Sequence, residues 1–140
     1  MVIAAGALLP TQAGINFRLS QIVNSNILAA LISFIVGTIG LSIYFILLQY
    51  KPVQLQILPQ GPWWAWVGGL CGAFYVVVTI IATPKLGATT MFTFFLTGQM
   101  LASLALDHYG MIGFHVHELN IWRIFGVMLV ISGALIIKYV

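Results

Sequence analysis

The stretch ILAALISFIVGTIGLSIYFILL, residues 27–48, decides the fold class of this chain because it contains no Asp, Glu, Lys or Arg. A helix needs about 20 mostly apolar residues to cross the hydrocarbon core of a bilayer, and this stretch has that length. Backbone polar groups in hydrocarbon must find their hydrogen bonds within the protein, which a single helix achieves. The stretch therefore predicts a membrane-spanning α-helix.

The composition of the whole chain extends this prediction. Of the 140 residues, 61% are hydrophobic and 5% are charged, whereas a soluble domain carries about a quarter charged residues. We therefore expect the lipid bilayer to be the main partner. The net charge of +3 is spread along the chain and forms no basic patch for nucleic acid. The single cysteine, Cys71, allows no internal disulfide.

Four further stretches have the length and apolar composition of a span. The loops between them are too short for a soluble domain, so we predict one all-α membrane domain over residues 1–140. The chain start lacks the basic region of a signal peptide, and we expect it to be a mature helix. The predicted helices lie at residues 2–23, 27–48, 63–82, 88–106 and 121–137.

An odd number of spans places the two termini on opposite sides of the membrane. One side then carries Lys51 and Arg123, and the other carries Arg18, Lys85 and Lys138. Orientation follows an excess of Lys and Arg in cytoplasmic loops, and here the excess is one residue. We hypothesise that copies insert both ways and pair antiparallel, as an inverted repeat. The partner is either an identical chain or a paralogue.

Several segments carry a resemblance to a known family. GALLPTQAGINFRL, PWWAWVGGLCGAFYV and GQMLASLALDHYG resemble the YdcZ-like family of the drug/metabolite transporter superfamily. GVMLVISGALI is similar more broadly to EamA-type and small multidrug resistance transporters. The resemblance implies a five-helix half of an inverted-repeat transporter, multi-pass in a bacterial inner (plasma) membrane. We expect no cofactor.

The chain departs from the small multidrug resistance pattern in its first helix. Those proteins resemble it there but have a glutamate that binds protons and cations, where this chain reads PTQAGIN. Its two acids, Asp107 and Glu118, are predicted at helix or loop ends. A carboxylate within the membrane is the usual partner of a transported cation. The sequence therefore argues against proton/cation antiport by that mechanism.

The first helix carries the strongest candidates for substrate binding. Gln12 and Asn16 are four residues apart and share a helix face, while Pro10 can kink the helix beside them. They either bind a polar substrate or only hold the bundle together by interhelical hydrogen bonds. Arg18 lies off that face. It is either an interfacial anchor or a charge that recruits anionic substrates.

The third and fourth helices offer further candidates to line a cavity. Tyr75 and Thr79 share a face, and the alternative is a hydrogen bond between them inside the bundle. Thr93 belongs to a stripe of threonines whose hydroxyls can bond to carbonyls of their own helix. Gln99 cannot do so as easily, so it is the stronger candidate for a ligand.

The fifth helix and the loop before it carry two further features, a pair of glycines and a cluster of histidines. Gly126 and Gly133 in the fifth helix are candidates for close helix packing, and by resemblance for a dimer contact. The loop HVHE, residues 115–118, holds two histidines and a carboxylate but no identifiable further ligand. We interpret it as a solvated loop and expect no metal site.

These observations predict a small secondary transporter subunit that works by alternating access as an antiparallel dimer. Its substrate would be a small metabolite or drug-like solute. The alternative is a membrane scaffold or regulatory partner that transports nothing. An enzyme is not expected, because no Ser/His/Asp arrangement, Gly-rich phosphate loop or pair of catalytic carboxylates is present.

Overall fold

The computed structural model describes residues 1–48 and 62–139, and α-helices dominate both ranges. Two 3₁₀ turns, Trp63–Trp66 and Met111–Gly113, accompany the α-helices. The all-α fold is thereby confirmed. Lys51, one of the charges compared between the two sides of the membrane, lies outside the described residues. The helices are α1 Val2–Val23, α2 Asn26–Leu48, α3 Gly68–Leu86, α4 Ala88–Tyr109 and α5 Ile121–Tyr139.

Four helical segments in the described ranges are long and apolar enough to cross a membrane. They are Asn26–Leu48, Trp63–Leu86, Ala88–Tyr109 and Ile121–Tyr139. The exception is α1, whose mean hydropathy is lowered by Thr11, Gln12, Asn16 and Arg18. The protein is an all-α membrane protein, and the crossing of the bilayer by α1 stays a prediction.

The bounds of α3 differ from those predicted at both ends. Trp63–Trp66 form a 3₁₀ turn, so the α-helix begins at Gly68. It continues past the predicted end at residue 82, through Pro84 to Leu86. Proline removes one backbone donor, and a membrane helix tolerates that loss. The helix instead stops before Gly87, whose φ of 77° is unfavourable for residues with a side chain.

Helix α4 also runs further than predicted, to Tyr109 instead of residue 106. Gly110 ends it in the left-handed conformation, with φ 59° and ψ 32°, and its N–H donates to the carbonyls of Asp107 and Leu106. Glycine at this position satisfies carbonyls of the last turn that have no partner within the helix. The glycine, and not the polarity of Asp107 and His108, therefore determines the end of the helix.

The chain divides into two compact units, Met1–Pro84 and Lys85–Val140. In the first, α1 packs along α2, and the Ser25 hydroxyl accepts a hydrogen bond from the Leu28 N–H at the start of α2 (3.2 Å). Its core joins two alanines of α2 to Val76 and Ile80 of α3. That the whole chain forms one five-helix domain stays a prediction.

In the second unit, α4 packs against α5. The Asn120 side chain accepts a hydrogen bond from the Arg123 N–H (2.9 Å) and so caps the start of α5. Met91 of α4 and Val127 and Ala134 of α5 are buried. This helix pair positions the polar residues at the α4–α5 connection.

Candidate functional site

Asn16 is the most deeply buried candidate among the polar side chains of α1. It lies on the buried face of the helix between Ala13 and Ser20, and only 3% of its surface is exposed. Its side-chain nitrogen, Nδ2, has no hydrogen-bond partner among the described residues. The neighbouring Ser20 hydroxyl donates to the Phe17 carbonyl (2.7 Å) and is satisfied within the helix. Asn16 Nδ2 is thus a buried donor without a partner in the described part of the chain.

Gln12 takes a different position from Asn16, although the two were predicted to share a helix face. It is exposed and lines an open groove of about 220 Å³ beside α2. Four residues turn a helix by about 40° beyond a full circle, since a turn takes 3.6 residues. The two amides therefore lie at different parts of one face, with Asn16 inside and Gln12 at its edge. Ser33, Gly37 and Thr38 of α2 also line this groove.

Arg18 is exposed and bonded within its own helix. Its Nη1 donates to the Gln21 side-chain oxygen at 3.0 Å. This local bond fits an anchoring role, and the anion-recruiting role stays a prediction.

The α3 candidates lie in and beside the core of the first unit. Thr79 is 3% exposed, and its hydroxyl donates to the Val76 carbonyl at 2.7 Å. Tyr75 is half-buried and packs against the core formed with Ala29 and Ile80. Because Thr79 donates its proton within its own helix, its hydroxyl contributes at most an acceptor to a ligand.

The α4 candidates belong to the second unit. The Thr93 hydroxyl donates to the Thr89 carbonyl (2.7 Å), and that of Thr97 donates to the Thr93 carbonyl (2.9 Å). Thr93 and Thr97 thus satisfy their hydroxyl donors within the helix, which the sequence had indicated to be possible. Gln99 is exposed and lines a second groove, formed by α4 and α5.

This α4–α5 groove has a volume of about 470 Å³. Its polar lining combines Gln99 and Ser103 with an ion pair, in which Arg123 Nη2 lies 3.3 Å from Asp107 Oδ2. Both charged side chains are about one-third exposed, at 35% for Arg123 and 28% for Asp107. The rest of the lining is mainly apolar and includes Leu96, Met100, Leu104 and Val127.

Further hydrogen bonds hold the ion pair in place. The Asp107 carbonyl accepts from the His117 N–H (2.8 Å), and Arg123 Nη1 donates to the His117 carbonyl (3.3 Å). His108 Nδ1 accepts from the Leu119 N–H at 3.4 Å. These contacts fold the chain between α4 and α5 back onto the helix ends.

Sequence reasoning missed this pair because it treated Asp107 only as an acid at a helix or loop end and Arg123 only as an orientation charge. The available signal was an acid and a base at the near ends of two apolar helices joined by a short connection.

The described ranges contain no group of three or more His, Cys, Asp and Glu side chains that could hold a metal ion.

The two candidate packing glycines of α5 have room around them. A Cβ built on Gly126 or Gly133 meets no atom within 4 Å in the described chain. Close packing within the described part of the chain therefore does not require either glycine. Gly126 borders the α4–α5 groove, and a dimer contact at both positions stays a prediction.

Comparisons with known proteins match nearly the whole chain. The family model described as "Putative inner membrane exporter, YdcZ" matches residues 1–136, which covers α1 to α4 and most of α5. The "Inner membrane protein YdcZ" of Escherichia coli (strain K12) is 26% identical over 136 residues, 95% of this chain and 89% of that protein. No solved structure matches the chain.

Proposed function

The chain belongs to the YdcZ family, as its sequence motifs indicated, and we propose that this multi-pass inner-membrane protein is a subunit of a secondary transporter that exports a small solute. The family match over residues 1–136 is the observation that carries the proposal. The four long apolar helices support it, because they embed the chain in the bilayer across which a solute must move.

The transporter works as an antiparallel dimer of five-helix subunits, with an identical or a paralogous partner. The near-equal division of Lys and Arg between the two sides supports insertion in both orientations. Two oppositely oriented copies form an inverted repeat, which alternates access by rocking around a central site. The substrate shifts the population toward the state that binds it more tightly.

The substrate contacts the buried face of α1 through Asn16. A buried donor with no acceptor costs about 1–3 kcal/mol, and such a cost is typical of functional sites. Gln12 lines the adjacent groove, and Arg18 lies near the end of α1. Tyr75 and Thr79 are further candidates in the first unit, and Thr93 and Gln99 are candidates in the second. The central α1 contacts are neutral, which favours a polar solute held by amide groups.

Metabolite export from cells tests this proposal. Cells expressing the chain are compared with cells expressing Asn16→Leu, which removes the buried donor but keeps the number and branching of the side-chain heavy atoms. Ser132→Ala is the matched control, because the Ser132 hydroxyl donates to the Met128 carbonyl of its own helix (2.8 Å). We expect at least one solute to accumulate in the medium with the wild type and the control, and not with Asn16→Leu. Equal accumulation with the wild type and Asn16→Leu at equal membrane expression would contradict the Asn16 site, and no accumulation with the wild type would support the scaffold alternative.

Topology reporters on each terminus test the antiparallel arrangement separately. We expect both reporters to give signals on both sides of the membrane. A single uniform orientation for all copies would refute the antiparallel homodimer while leaving export untouched. A paralogous partner of opposite orientation would then have to be present for transport.

A further inference from the structure

The α4–α5 groove combines two features that a ligand can recognise at once. One part is apolar, lined by Leu96, Met100 and Leu104, and the other carries the Asp107–Arg123 pair. Its volume of about 470 Å³ lies within the range of roughly 300–1,000 Å³ found for small-molecule sites. Shape and lining therefore suit a small amphiphile.

The ion pair leaves hydrogen-bond donors and an acceptor that a ligand in the groove can reach. Arg123 has five N–H donors; in the described chain it uses one on Asp107 and one on His117. Its contact with Asp107 is a single bond of 3.3 Å through Oδ2, and no bond to Oδ1 is seen among the described residues. Both side chains are partly exposed, so the remaining donors and acceptor are accessible. The pair can therefore take further partners without being broken.

The charges of the groove select the class of ligand. One carboxylate and one guanidinium sum to zero, so a ligand with a single charge would be attracted by one group and repelled by the other. A zwitterion satisfies both, since its anionic group meets Arg123 and its cationic group meets Asp107. Guanidinium binds carboxylate or phosphate through two parallel hydrogen bonds, which adds geometric selectivity.

We infer that the α4–α5 groove binds a zwitterion that carries an apolar group. The charged ends lie on Asp107 and Arg123, and the apolar group lies along Leu96, Met100 and Leu104. This chemistry has two sources, a free amino-acid-like solute or the head group of a zwitterionic phospholipid. The inference concerns binding to one chain and does not depend on the proposed export.

Binding measurements with three matched probes test the charge requirement. The purified full chain is placed in nanodiscs of phosphatidylglycerol, which offer no zwitterionic lipid. L-phenylalanine carries both charges, 2-phenylethylamine only the positive one and 3-phenylpropanoate only the negative one. We expect phenylalanine to bind at least about tenfold more tightly than either analogue, because each lost charged hydrogen bond weakens binding by that order.

Three variants locate the site. Asp107→Asn and Arg123→Gln should each weaken phenylalanine binding at least about tenfold, whereas Lys138→Gln, a matched charge loss outside the groove lining, should leave it unchanged. Ser103→Trp fills the groove without altering the pair, so it should abolish binding while thermal stability stays near that of the wild type. This variant keeps the test valid if the charge variants fold poorly.

A second set of measurements distinguishes a free solute from a lipid head group as the ligand. Nanodiscs that contain phosphatidylethanolamine are compared with those of phosphatidylglycerol alone, by thermal stability and by competition with phenylalanine. The site is assigned to the lipid head group if phosphatidylethanolamine stabilises the protein, Ser103→Trp removes this stabilisation, and phenylalanine does not bind. Phenylalanine binding that the lipid does not displace assigns it to a free solute. Equal binding of all three probes, or no effect of either zwitterion, would overturn the inference.

Discussion

Substitution of Gly110 by alanine is the sharpest test of how α4 ends. Gly110 has a φ of 59°, and a Cβ built on it lies 2.6 Å from Val116 Cγ2 and 3.4 Å from the Phe114 carbonyl oxygen. The variant therefore has two separate costs, one of backbone conformation and one of steric overlap. Both act on the segment that carries the Asp107–Arg123 pair.

The two costs can be estimated separately. The left-handed conformation costs a residue with a side chain about 1–2 kcal/mol. Overlap of an added methyl group with its neighbours costs about 1–3 kcal/mol, and the β-branched Val116 side chain, whose χ1 is restricted, is the neighbour that must move. We expect Gly110→Ala to lower the free energy of unfolding by roughly 2–5 kcal/mol, the sum of these two ranges.

Gly113 supplies the matched control. Its φ is 84°, and a Cβ there meets nothing within 4 Å among the described residues. Gly113→Ala should therefore show only the conformational cost of about 1–2 kcal/mol. Combining Gly110→Ala with Val116→Ala removes the overlap, and we expect it to be more stable than Gly110→Ala with Val116 retained.

Unfolding titrations with SDS in mixed micelles, followed by tryptophan fluorescence, measure these differences. The reasoning predicts that Gly110→Ala is the less stable of the two glycine variants. Equal destabilisation of Gly110→Ala and Gly113→Ala would refute the steric part of the argument. If adding Val116→Ala does not raise the free energy of unfolding of the Gly110→Ala variant, the assignment of the overlap to Val116 is refuted.

Three further predictions use the same titration. Asn16→Leu should raise the free energy of unfolding by about 1 kcal/mol, because it removes a buried donor without a partner; a decrease would show that the amide is bonded in the folded protein. Asn120→Ala should lower it by about 1 kcal/mol through loss of the α5 cap, and Asn120→Gly by only a few tenths; equal losses would contradict the cap. Asp107→Asn should cost less than about 1 kcal/mol, since the pair is partly exposed. That cost should shrink in high salt, and a salt-independent cost would contradict an ionic origin.

The fold class followed from the sequence because membrane helices are set by length and apolarity, which a single segment contains. Residues 27–48 illustrate this, since the predicted and observed helices differ there by one residue at the start. The ends of α3 and α4 were predicted less well. Each continues past its predicted end, through Pro84 in α3 and Asp107 in α4, to a glycine of positive φ, Gly87 or Gly110.

The candidate site was predictable only in part. The sequence placed Gln12 and Asn16 on one face, but burial depends on how α1 packs, and only Asn16 lies inside. The Asp107–Arg123 pair depends on the path of the connection between α4 and α5. That path is fixed by backbone contacts such as the bond from the His117 N–H to the Asp107 carbonyl, which leave no pattern in the sequence.

Solute efflux from proteoliposomes tests the central claim of export through the α1 site most directly. Vesicles containing the purified chain are loaded with a small-metabolite extract, and the solutes that leave are identified by mass spectrometry. The account predicts that at least one solute leaves faster than from protein-free vesicles, that Ser132→Ala preserves this rate, and that Asn16→Leu lowers it about tenfold or more through loss of a hydrogen bond to substrate. Equal efflux with the wild type and Asn16→Leu would contradict the site, and no efflux above protein-free vesicles would contradict export.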